Sequence, residues 1–316
     1  MRADGSLAAG AGSPYLEPLE QRAPEDTQVP DISVIIPAYN ERDGIAGVIA
    51  GLRERLGASG LSFEVIVVDD GSTDGTARAA QGQGARVLSH GANRGYGAAL
   101  KTGIRAAASE HILICDADGT YPAESIGTLL GLIDRHDMVV GARTGASVDR
   151  PFFRRIAKGI LRRLAIYLSE AEIPDLNSGL RVFRRRAVMA YFPILPAGFS
   201  FTTTITLAML CNEGSVAYVP INYSKRRGRS KIRPVRDTLN FLVLITRTIL
   251  YFNPLKIFLP VSLVIGLAFT ASVLYDVLVL RDLTEKSLIF LFGAIQLLAI
   301  GVIADMISKR LHGTRQ

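Results

Sequence analysis

The sequence predicts an α/β protein with a mostly parallel, doubly wound sheet, followed by interfacial amphipathic helices and a C-terminal two-helix transmembrane hairpin. Short apolar runs alternate with helical stretches between residues 31 and 140, and two long apolar runs lie near the C-terminus. The composition fits both parts. Hydrophobic residues make up 48% of the chain, which is high for a soluble protein, and charged residues make up 21%, which is high for a membrane protein.

The first part of the chain divides into a tail and a globular domain. Residues 1–28 are rich in Ala, Gly, Pro, Glu and Ser and lack periodicity, so we expect a disordered tail. The alternation predicts one domain over 29–234, with helices through Ile45–Leu52 and from about 96 to 108, and with strands at 32–36, 63–68, 85–88, 111–115 and 137–140. Continuous apolar strands that alternate with helices are typical of a parallel sheet covered on both faces. Such sheets bind ligands at the carboxyl ends of their strands.

Two segments outside this alternation have the pattern of interfacial helices. Residues 151–168 place apolar side chains on one helical face and basic side chains on the other. This pattern is typical of a helix lying in a membrane interface, although a solvated face over an ordinary core helix would give the same pattern. The apolar runs downstream favour the interface. Residues 235–257 are apolar but carry Arg247, and we expect a second interfacial region there.

The two long apolar runs predict a membrane hairpin over 258–310. The runs cover 258–280 and 287–307. At about 1.5 Å per residue, each exceeds the roughly 30 Å hydrocarbon core of a bilayer. Six residues separate them, which predicts a tight turn. Basic residues flank both outer ends, so we expect a multi-pass protein of the cell membrane with its globular domain in the cytoplasm.

The positive charge of the chain is local. The formal net charge is +7, and seven Lys and Arg residues fall within 225–236, a window without any acid. Such a cluster beside a membrane predicts contact with anionic lipid or with a substrate phosphate. Nucleic acid is the less favoured partner, because no aromatic platform or known nucleic-acid motif accompanies the charge.

Adjacent carboxylates follow the second predicted strand. Asp69 and Asp70 lie in the stretch VVDDGSTDGT at 67–76. Two acids at a strand end suit hydrogen bonding to a nucleobase or a ribose. The alternative is a helix cap, but Ser72, Thr73 and Asp74 serve that purpose better, since Asp69 and Asp70 precede the glycine turn.

A second acidic pair follows the fourth predicted strand. Asp116 and Asp118 are two residues apart, so both can offer oxygens to one hard divalent cation. A departing diphosphate needs such a cation, because the ion neutralises the charge that develops on the leaving group. An isolated Asp-x-Asp is a weak signal, but its position after an apolar strand strengthens it here.

Four motifs together carry a family resemblance. They are PAYNE at 37–41, VVDDGSTDGT at 67–76, NRGYGAAL at 93–100 and DADGTYP at 116–122. With the basic stretch at 226–231 and the hairpin, the chain resembles inverting family 2 glycosyltransferases of the GT-A fold, of the polyprenyl- or dolichyl-phosphate hexose synthase type. The resemblance covers residues 31–310. It implies transfer of a hexose from a UDP- or GDP-sugar to a polyprenyl phosphate, for cell-envelope glycan or protein glycosylation.

The resemblance also implies roles for individual residues. The nucleotide sugar would contact Pro37, Ala38, Tyr39, Glu41, Asp69, Asp70, Arg94, Asp116 and Arg143. Asp116 and Asp118 would hold Mg²⁺ or Mn²⁺, and Asp118 would also count as catalytic. Some relatives carry Gln where this chain has Thr120, which leaves a third protein ligand open. Residues 175–181 would form the acceptor loop, with Asn177 and Ser178 near the acceptor and Asp175 as the candidate catalytic carboxylate.

The chemistry of a phosphate acceptor predicts a cationic clamp. A phosphate monoester has a second pKa near 6, so at neutral pH it is mostly a dianion and needs little help from a base. It needs cations that bring two anions together. The candidates are Arg181, which would also count as catalytic, and Arg227, Arg229 and Lys231, each with a membrane-surface charge as its alternative role. We therefore expect Asp175 to orient the acceptor loop or a cation such as Arg181. The oligomeric state stays open, a homo-oligomer included.

Three other functions fit the sequence less well. A sugar nucleotidyltransferase would want a glycine-rich phosphate loop near the start, where residues 37–44 read PAYNERDG. A processive polysaccharide synthase usually needs more than two spans to form a channel. A non-catalytic membrane scaffold would have no reason to keep the acids at positions 69, 70, 116, 118 and 175.

Overall fold

The computed structural model describes residues 29–143, 170–222 and 250–313, together with 163, 166, 167, 243, 246 and 247. The predicted tail at 1–28, almost all of the amphipathic segment at 151–168, the basic cluster at 225–236 and most of 235–249 lie outside the described residues. Their expected structures stay predictions.

Within the described residues, seven strands form one mixed, mostly parallel sheet in the order β3-β2-β1-β4-β6-β5-β7. Among these seven, only β6 runs antiparallel to its neighbours. The bounds are β1 Ile32–Ala38, β2 Phe63–Asp69, β3 Arg86–Ser89, β4 His111–Ile114, β5 Met138–Arg143, β6 Arg181–Arg184 and β7 Val216–Ile221. The five predicted strands are therefore present, each within a few residues of its expected position.

Helices cover both faces of the sheet, as the apolar strands predicted. The bounds are α1 Arg42–Gly57, α2 Thr76–Gln81, α3 Tyr96–Ala106, α4 Ser125–Leu130, α5 Arg185–Met189 and α6 Phe201–Cys211. On one face, α1 and α4 bury Ile45, Ile49 and Leu129 against alternate side chains of the strands. On the other, α3 and α6 bury Leu100 and Phe201 against the remaining side chains. The doubly wound architecture is confirmed.

Two strands were not predicted. β6 has only four residues, and arginines occupy both of its ends, so it lacks the apolar run that marked the other strands. β7 contains Pro220, which cannot donate a ladder hydrogen bond, but it lies at the sheet edge where proline is tolerated. Both strands take their place from tertiary pairing with β5.

The C-terminal region forms the predicted helical hairpin. Its helices are α7 Leu255–Tyr275, continued by a π-helical turn Asp276–Leu280, and α8 Glu285–Gly313. The segments Leu255–Leu280 and Glu285–Arg310 are long and apolar enough to cross a membrane. The connection has four residues, 281–284, instead of the expected six, because α8 begins two residues earlier.

Polar side chains close both ends of the hairpin. At the turn, the buried Asp276 carboxylate accepts hydrogen bonds from the Thr284 hydroxyl at 2.6 Å and the Ser287 hydroxyl at 2.7 Å. At the opposite end, the Ser308 hydroxyl donates to the Tyr251 carbonyl at 2.7 Å. Lys256 there forms an ion pair with Glu170 at 2.7 Å. Of these contacts, the Lys256–Glu170 pair joins the base of the hairpin to the α/β domain, and the others lie within the C-terminal region.

Candidate active site

The strand directions bring the acidic motifs to one edge of the sheet. β1, β2, β4 and β5 are parallel, so their carboxyl ends meet there, and Ala38 lies opposite Asp69 in the register. β6 runs the other way, so its first residue, Arg181, pairs with Ile114 of β4 and Val140 of β5 at the same edge. The antiparallel strand therefore delivers residues 175–180 to the acidic motifs.

The loops after β1 and β2 are tied together by hydrogen bonds. The Asn40 side-chain oxygen accepts from the Thr73 amide at 2.9 Å, and the Asn40 amide donates to the Ser72 hydroxyl at 2.9 Å. The Glu41 amide donates to the Thr76 hydroxyl at 3.0 Å. Asn40 has a φ of 54°, a left-handed conformation that asparagine tolerates better than most residues. Asn40 was not among the predicted site residues, although its place inside PAYNE offered the signal.

The predicted nucleotide-contacting residues around these loops differ in exposure. Pro37 and Ala38 end β1 as buried residues, whereas Tyr39 is exposed and Glu41 is half-buried. Asp69 ends β2 as a buried residue, and one of its oxygens accepts from the Ser72 amide at 3.2 Å. Tyr39 and Glu41 therefore offer side-chain surface to a ligand, while Asp69 shapes the turn.

Asp70 is buried and held by the protein. Its Oδ1 accepts from the Arg94 amide at 2.9 Å and lies 2.7 Å from His90 Nδ1, and its Oδ2 accepts from the Gly95 amide at 2.8 Å. The other ring nitrogen of His90 lies 3.0 Å from the Thr102 hydroxyl. Asp70 therefore has little surface for direct nucleoside contact, contrary to the expectation. It fixes the loop that presents the exposed Arg94.

Asp116 and Asp118 are both half-buried at the end of β4. Asp116 Oδ1 accepts a hydrogen bond from the Tyr96 hydroxyl at 2.9 Å. Asp118 Oδ1 accepts from the Thr120 hydroxyl at 2.6 Å and from the Thr120 amide at 3.2 Å. Thr120 thus orients the second carboxylate through its hydroxyl and its amide.

The donor chemistry of these two carboxylates suits a divalent cation. Mg²⁺ and Mn²⁺ prefer oxygen ligands, and Mg²⁺ in particular is usually bound by one or two carboxylates together with substrate phosphates and waters. Across the described residues, no group of three His, Cys, Asp or Glu side chains is arranged to hold a metal ion. A bound ion would therefore rely on Asp116 and Asp118 and take its other ligands from outside this set.

Asp175 and Arg143 form a two-point ion pair. Asp175 Oδ2 lies 2.6 Å from Arg143 Nε, and Oδ1 lies 2.9 Å from a terminal guanidinium nitrogen. The Arg143 amide and the Asn177 amide donate to the same carboxylate, at 3.2 and 3.1 Å. Asp175 is buried, with 4% of its surface exposed. Both residues were predicted to lie in the site, but their pairing was not predicted.

Arg181 does not reach the predicted phosphate site. Its side chain is completely buried. Its guanidinium donates to the Ser178 carbonyl, the Thr202 carbonyl at 3.1 Å and the Thr206 hydroxyl at 3.0 Å. Burial lowers the pKa of Arg181 from its ordinary value. The prediction that Arg181 clamps phosphate is therefore wrong, because a core arginine satisfied by carbonyls looks the same in sequence as a phosphate ligand.

The other predicted acceptor residues divide into two groups. Ser178 is buried beneath the site, whereas Asn177 is exposed and its side-chain oxygen accepts from the Thr203 hydroxyl at 2.5 Å. Arg227, Arg229 and Lys231 lie outside the described residues. Their role in a phosphate clamp stays a prediction.

The sheet and its acid-lined edge are those of a GT-A protein. The glycosyl transferase family 2 domain matches residues 33–192, about half of the chain, and the GtrB C-terminal hairpin matches residues 253–310. The chain belongs to glycosyl transferase family 2 and is a glycosyltransferase.

Two relatives illustrate the similarity in sequence. The chain is 34% identical over 206 residues to the dolichyl-phosphate hexose transferase of Haloferax volcanii, covering 65% of this chain and 87% of the relative. It is 26% identical over 310 residues to the undecaprenyl-phosphate 4-deoxy-4-formamido-L-arabinose transferase of Edwardsiella ictaluri, covering 90% of each.

A solved structure illustrates the similarity in fold. Glucosyl-3-phosphoglycerate synthase from Mycobacterium tuberculosis, in complex with Mn²⁺, uridine diphosphate and phosphoglyceric acid, superposes with a TM-score of 0.57. The match covers 70% of this chain and 78% of that chain at 22% identity. It supports the GT-A fold.

Proposed function

We propose that this chain transfers a hexose from UDP- or GDP-hexose to a polyprenyl phosphate, with inversion at the sugar carbon. One observation carries the proposal: a family 2 domain with an acid-lined sheet edge is joined to an apolar hairpin long enough to cross a membrane. The two relatives described above are named for dolichyl- and undecaprenyl-phosphate substrates, which supports the same acceptor class here.

The proposed reaction is a direct displacement. An oxygen of the acceptor phosphate forms a bond to C1 of the hexose while the bond from C1 to the nucleoside diphosphate breaks, and the electron pair leaves with the diphosphate. Attack from the side opposite the leaving group inverts the configuration at C1. Because the acceptor is mostly a dianion at neutral pH, no proton has to be removed for it to attack.

Asp116 and Asp118 would act on the leaving-group side of the site, where the diphosphate departs. A Mg²⁺ or Mn²⁺ ion held by Asp116 and Asp118 would neutralise the charge that develops on the diphosphate. The Thr120 hydroxyl and amide fix the orientation of Asp118, and the Tyr96 hydroxyl fixes Asp116. Burial, and then the nearby Asp116 carboxylate, raise the pKa of Tyr96 far above its ordinary value, so its phenol keeps the proton that it donates.

The acceptor side depends on residues that reach the sheet edge from β5 and β6. Arg143 and Asp175 hold the acceptor loop to the end of β5 through their two-point pair. Asn177 follows on the exposed side of that loop. We assign the phosphate clamp to Arg227, Arg229 and Lys231, since these cations lie in the sequence between β7 and the hairpin, where a lipid headgroup would meet the domain.

A panel of labelled donors tests the proposed function. Membranes containing the protein are incubated with undecaprenyl phosphate and each of several radiolabelled UDP- and GDP-hexoses, and the lipid is extracted. We expect label in the lipid fraction with one donor and one sugar per lipid, released with the anomeric configuration opposite to that of the donor. Label in a growing polymer would favour the processive alternative, and transfer with retention would contradict the displacement.

The hairpin yields a prediction about topology. If both spans return the chain to the cytoplasm, only residues 281–286, the connection and the first two residues of α8, face the outside. In a variant without Cys115 and Cys211, Glu285→Cys should react in intact cells with a membrane-impermeant maleimide. Gln316→Cys should react only after permeabilisation. The reverse pattern would place the catalytic domain outside the cytoplasm.

A further inference from the structure

Gly179 lies directly against the Asp116 carboxylate. A Cβ atom added to Gly179 would lie 2.4 Å from Asp116 Oδ2, 2.5 Å from Oδ1 and 2.6 Å from Cγ. These distances are shorter than any tolerated carbon contact. The φ of Gly179 lies outside the left-handed region, so its backbone conformation does not itself require glycine. The space beside Asp116 is the reason for glycine at this position.

Tyr96 holds the same carboxylate by its hydroxyl. The hydroxyl donates to Asp116 Oδ1 at 2.9 Å. The ring is stacked on Phe199, with centroids 5.6 Å apart and an interplanar angle of 19°. The start of α3 also packs closely against residues 196–198, because a Cβ on Gly97 would lie 2.2 Å from the Pro196 carbonyl oxygen and the Ala98 amide donates to the Ala197 carbonyl at 2.9 Å. Tyr96 therefore approaches Asp116 from a fixed position.

Tyr121 connects the two contacts. Its hydroxyl accepts a hydrogen bond from the Gly179 amide at 2.6 Å, which anchors the acceptor loop at the point where it passes Asp116. Burial, and then the Asp116 carboxylate, raise the pKa of Tyr121 well above its ordinary range. The loop from 175 to 180 is thus pinned to the metal-side loop at 116–122 by a backbone hydrogen bond as well as by close packing.

We propose that Tyr96 and Gly179 are positioning residues that select one orientation of the Asp116 carboxylate for the divalent cation and the donor diphosphate. Gly179, which has no side chain, leaves room for the carboxylate in this orientation, and the Tyr96 hydroxyl donates a hydrogen bond to one of its oxygens. This inference rests on the proposed function, since the cation is part of it. The inference adds that the acceptor loop, through Gly179, sets the orientation of the Asp116 carboxylate.

The inference predicts a specific defect for Gly179→Ala. The atoms that the new Cβ meets are the end of one short side chain, which can rotate away, so the protein should fold. The rotation breaks the Tyr96 hydrogen bond and displaces the carboxylate. Loss of groups that orient metal ligands typically lowers metal affinity about 10–100-fold, and we expect a loss in that range.

The measurement is Mn²⁺ binding by electron paramagnetic resonance, with the detergent-purified protein, Mn²⁺ alone and Mn²⁺ with UDP or GDP. Gly47→Ala is the matched control, because Gly47 lies exposed in α1 with nothing within 4 Å of an added Cβ. The control should bind Mn²⁺ like the wild type. Gly179→Ala should bind it about 10–100-fold more weakly, with a melting temperature lowered only slightly by the loss of the Tyr96 hydrogen bond. Equal affinity in Gly179→Ala and wild type would overturn the inference.

A second variant separates positioning from a loss of folding. Tyr96→Phe keeps the ring and its stack on Phe199 but removes the hydroxyl. We expect weaker Mn²⁺ binding and a higher Mn²⁺ requirement for transfer, with an unchanged KM for the lipid acceptor. A Tyr96→Phe protein with wild-type Mn²⁺ affinity would contradict the role of Tyr96. If the donor panel fails while these Mn²⁺ effects appear, the proposed substrate is wrong and the positioning inference stands.

Discussion

Asp118→Asn is expected to lower sugar transfer by at least about 10²–10³-fold while the protein stays folded. A cation at a developing negative charge contributes several kcal/mol to catalysis, and each 1.4 kcal/mol or so of barrier is a factor of ten in rate. Asparagine removes the charge but keeps an oxygen that can accept from the Thr120 hydroxyl and amide, as Asp118 Oδ1 does at 2.6 and 3.2 Å. Asp118→Ala should be equally inactive.

Alanine at position 118 also removes the turn that Thr120 makes with the carboxylate. Each such hydrogen bond contributes about 0.5–1.5 kcal/mol to stability, so the alanine variant should melt somewhat earlier than the asparagine variant. Comparing the two separates the catalytic loss from the structural one. The assay is labelled sugar in extracted lipid at saturating Mn²⁺, with melting temperature measured in parallel.

Asp134→Ala is the matched control for this experiment. Asp134 is exposed in the turn before β5. This turn lies at the amino ends of the parallel strands, on the side of the sheet opposite the acidic motifs. Its replacement should leave transfer unchanged. A fully active Asp118→Asn, or full wild-type activity in the presence of a chelator, would show that the acidic pair does not act through a divalent cation.

The strands and the acid-lined edge could be predicted because they follow from local sequence. Runs such as 34–36 and 65–68 are apolar throughout, and short runs of this kind between turn signals are typical of strands covered on both faces. Once the strands are parallel, their carboxyl ends must meet, so Asp69 and Asp116 were predicted at one edge without knowledge of the strand order. The hairpin was equally visible, since length and hydropathy alone define it.

The partners of the site residues could not be predicted, because they depend on distant contacts. Arg181 is separated by 21 residues from the Thr202 carbonyl that it bonds, and nothing in the local sequence distinguishes this arginine from one that faces a phosphate. Asp70 follows a strand as Asp116 does, yet the segment from His90 to Gly95 folds over it and occupies both oxygens. Burial by a later segment decides between a ligand-facing acid and a structural one.

The cationic partner of Asp175 is also set by a contact between residues distant in sequence, and that partner determines the role of the carboxylate. From the sequence, Asp175 was expected to orient the acceptor loop or a cation such as Arg181. In the structure its cationic partner is Arg143, which holds both oxygens of the carboxylate. A carboxylate with both oxygens accepting N–H donors is well placed to orient a cation and poorly placed to receive a proton from a substrate. The expected orienting role therefore persists with a different partner.

Asp175→Asn is expected to reduce transfer by a similar factor at pH 6.5 and at pH 8.5. Asparagine keeps the shape of the side chain but loses the charge that pairs with Arg143. If Asp175 removed a proton from the acceptor, its loss should matter less as pH rises, because the acceptor phosphate loses that proton by itself above its second pKa near 6. An orienting pair has no such dependence, since the Arg143 guanidinium stays charged throughout this range.

The magnitude of the effect makes the two roles distinguishable. General-base catalysis typically contributes about 10²–10⁴-fold, so a base should show a defect that shrinks at least tenfold between the two pH values. That shrinkage, about 1.4 kcal/mol of barrier, would contradict the orienting role. The assay is the initial rate of lipid labelling at saturating donor and acceptor, for the wild type and Asp175→Asn in the same buffers.

A double-mutant cycle with Arg143→Gln tests whether Asp175 acts through Arg143. Two residues that act only through each other show strong non-additivity, so the double variant should be little worse than the more damaging single variant. A proton-accepting Asp175 would act on the substrate independently of Arg143, and the two losses would then multiply. Because the carboxylate accepts hydrogen bonds from two side-chain nitrogens and from the backbone amide of Arg143, we expect non-additivity. The Arg143–Asp175 pair would then position the acceptor loop. The phosphate oxygen of the acceptor would attack without a general base.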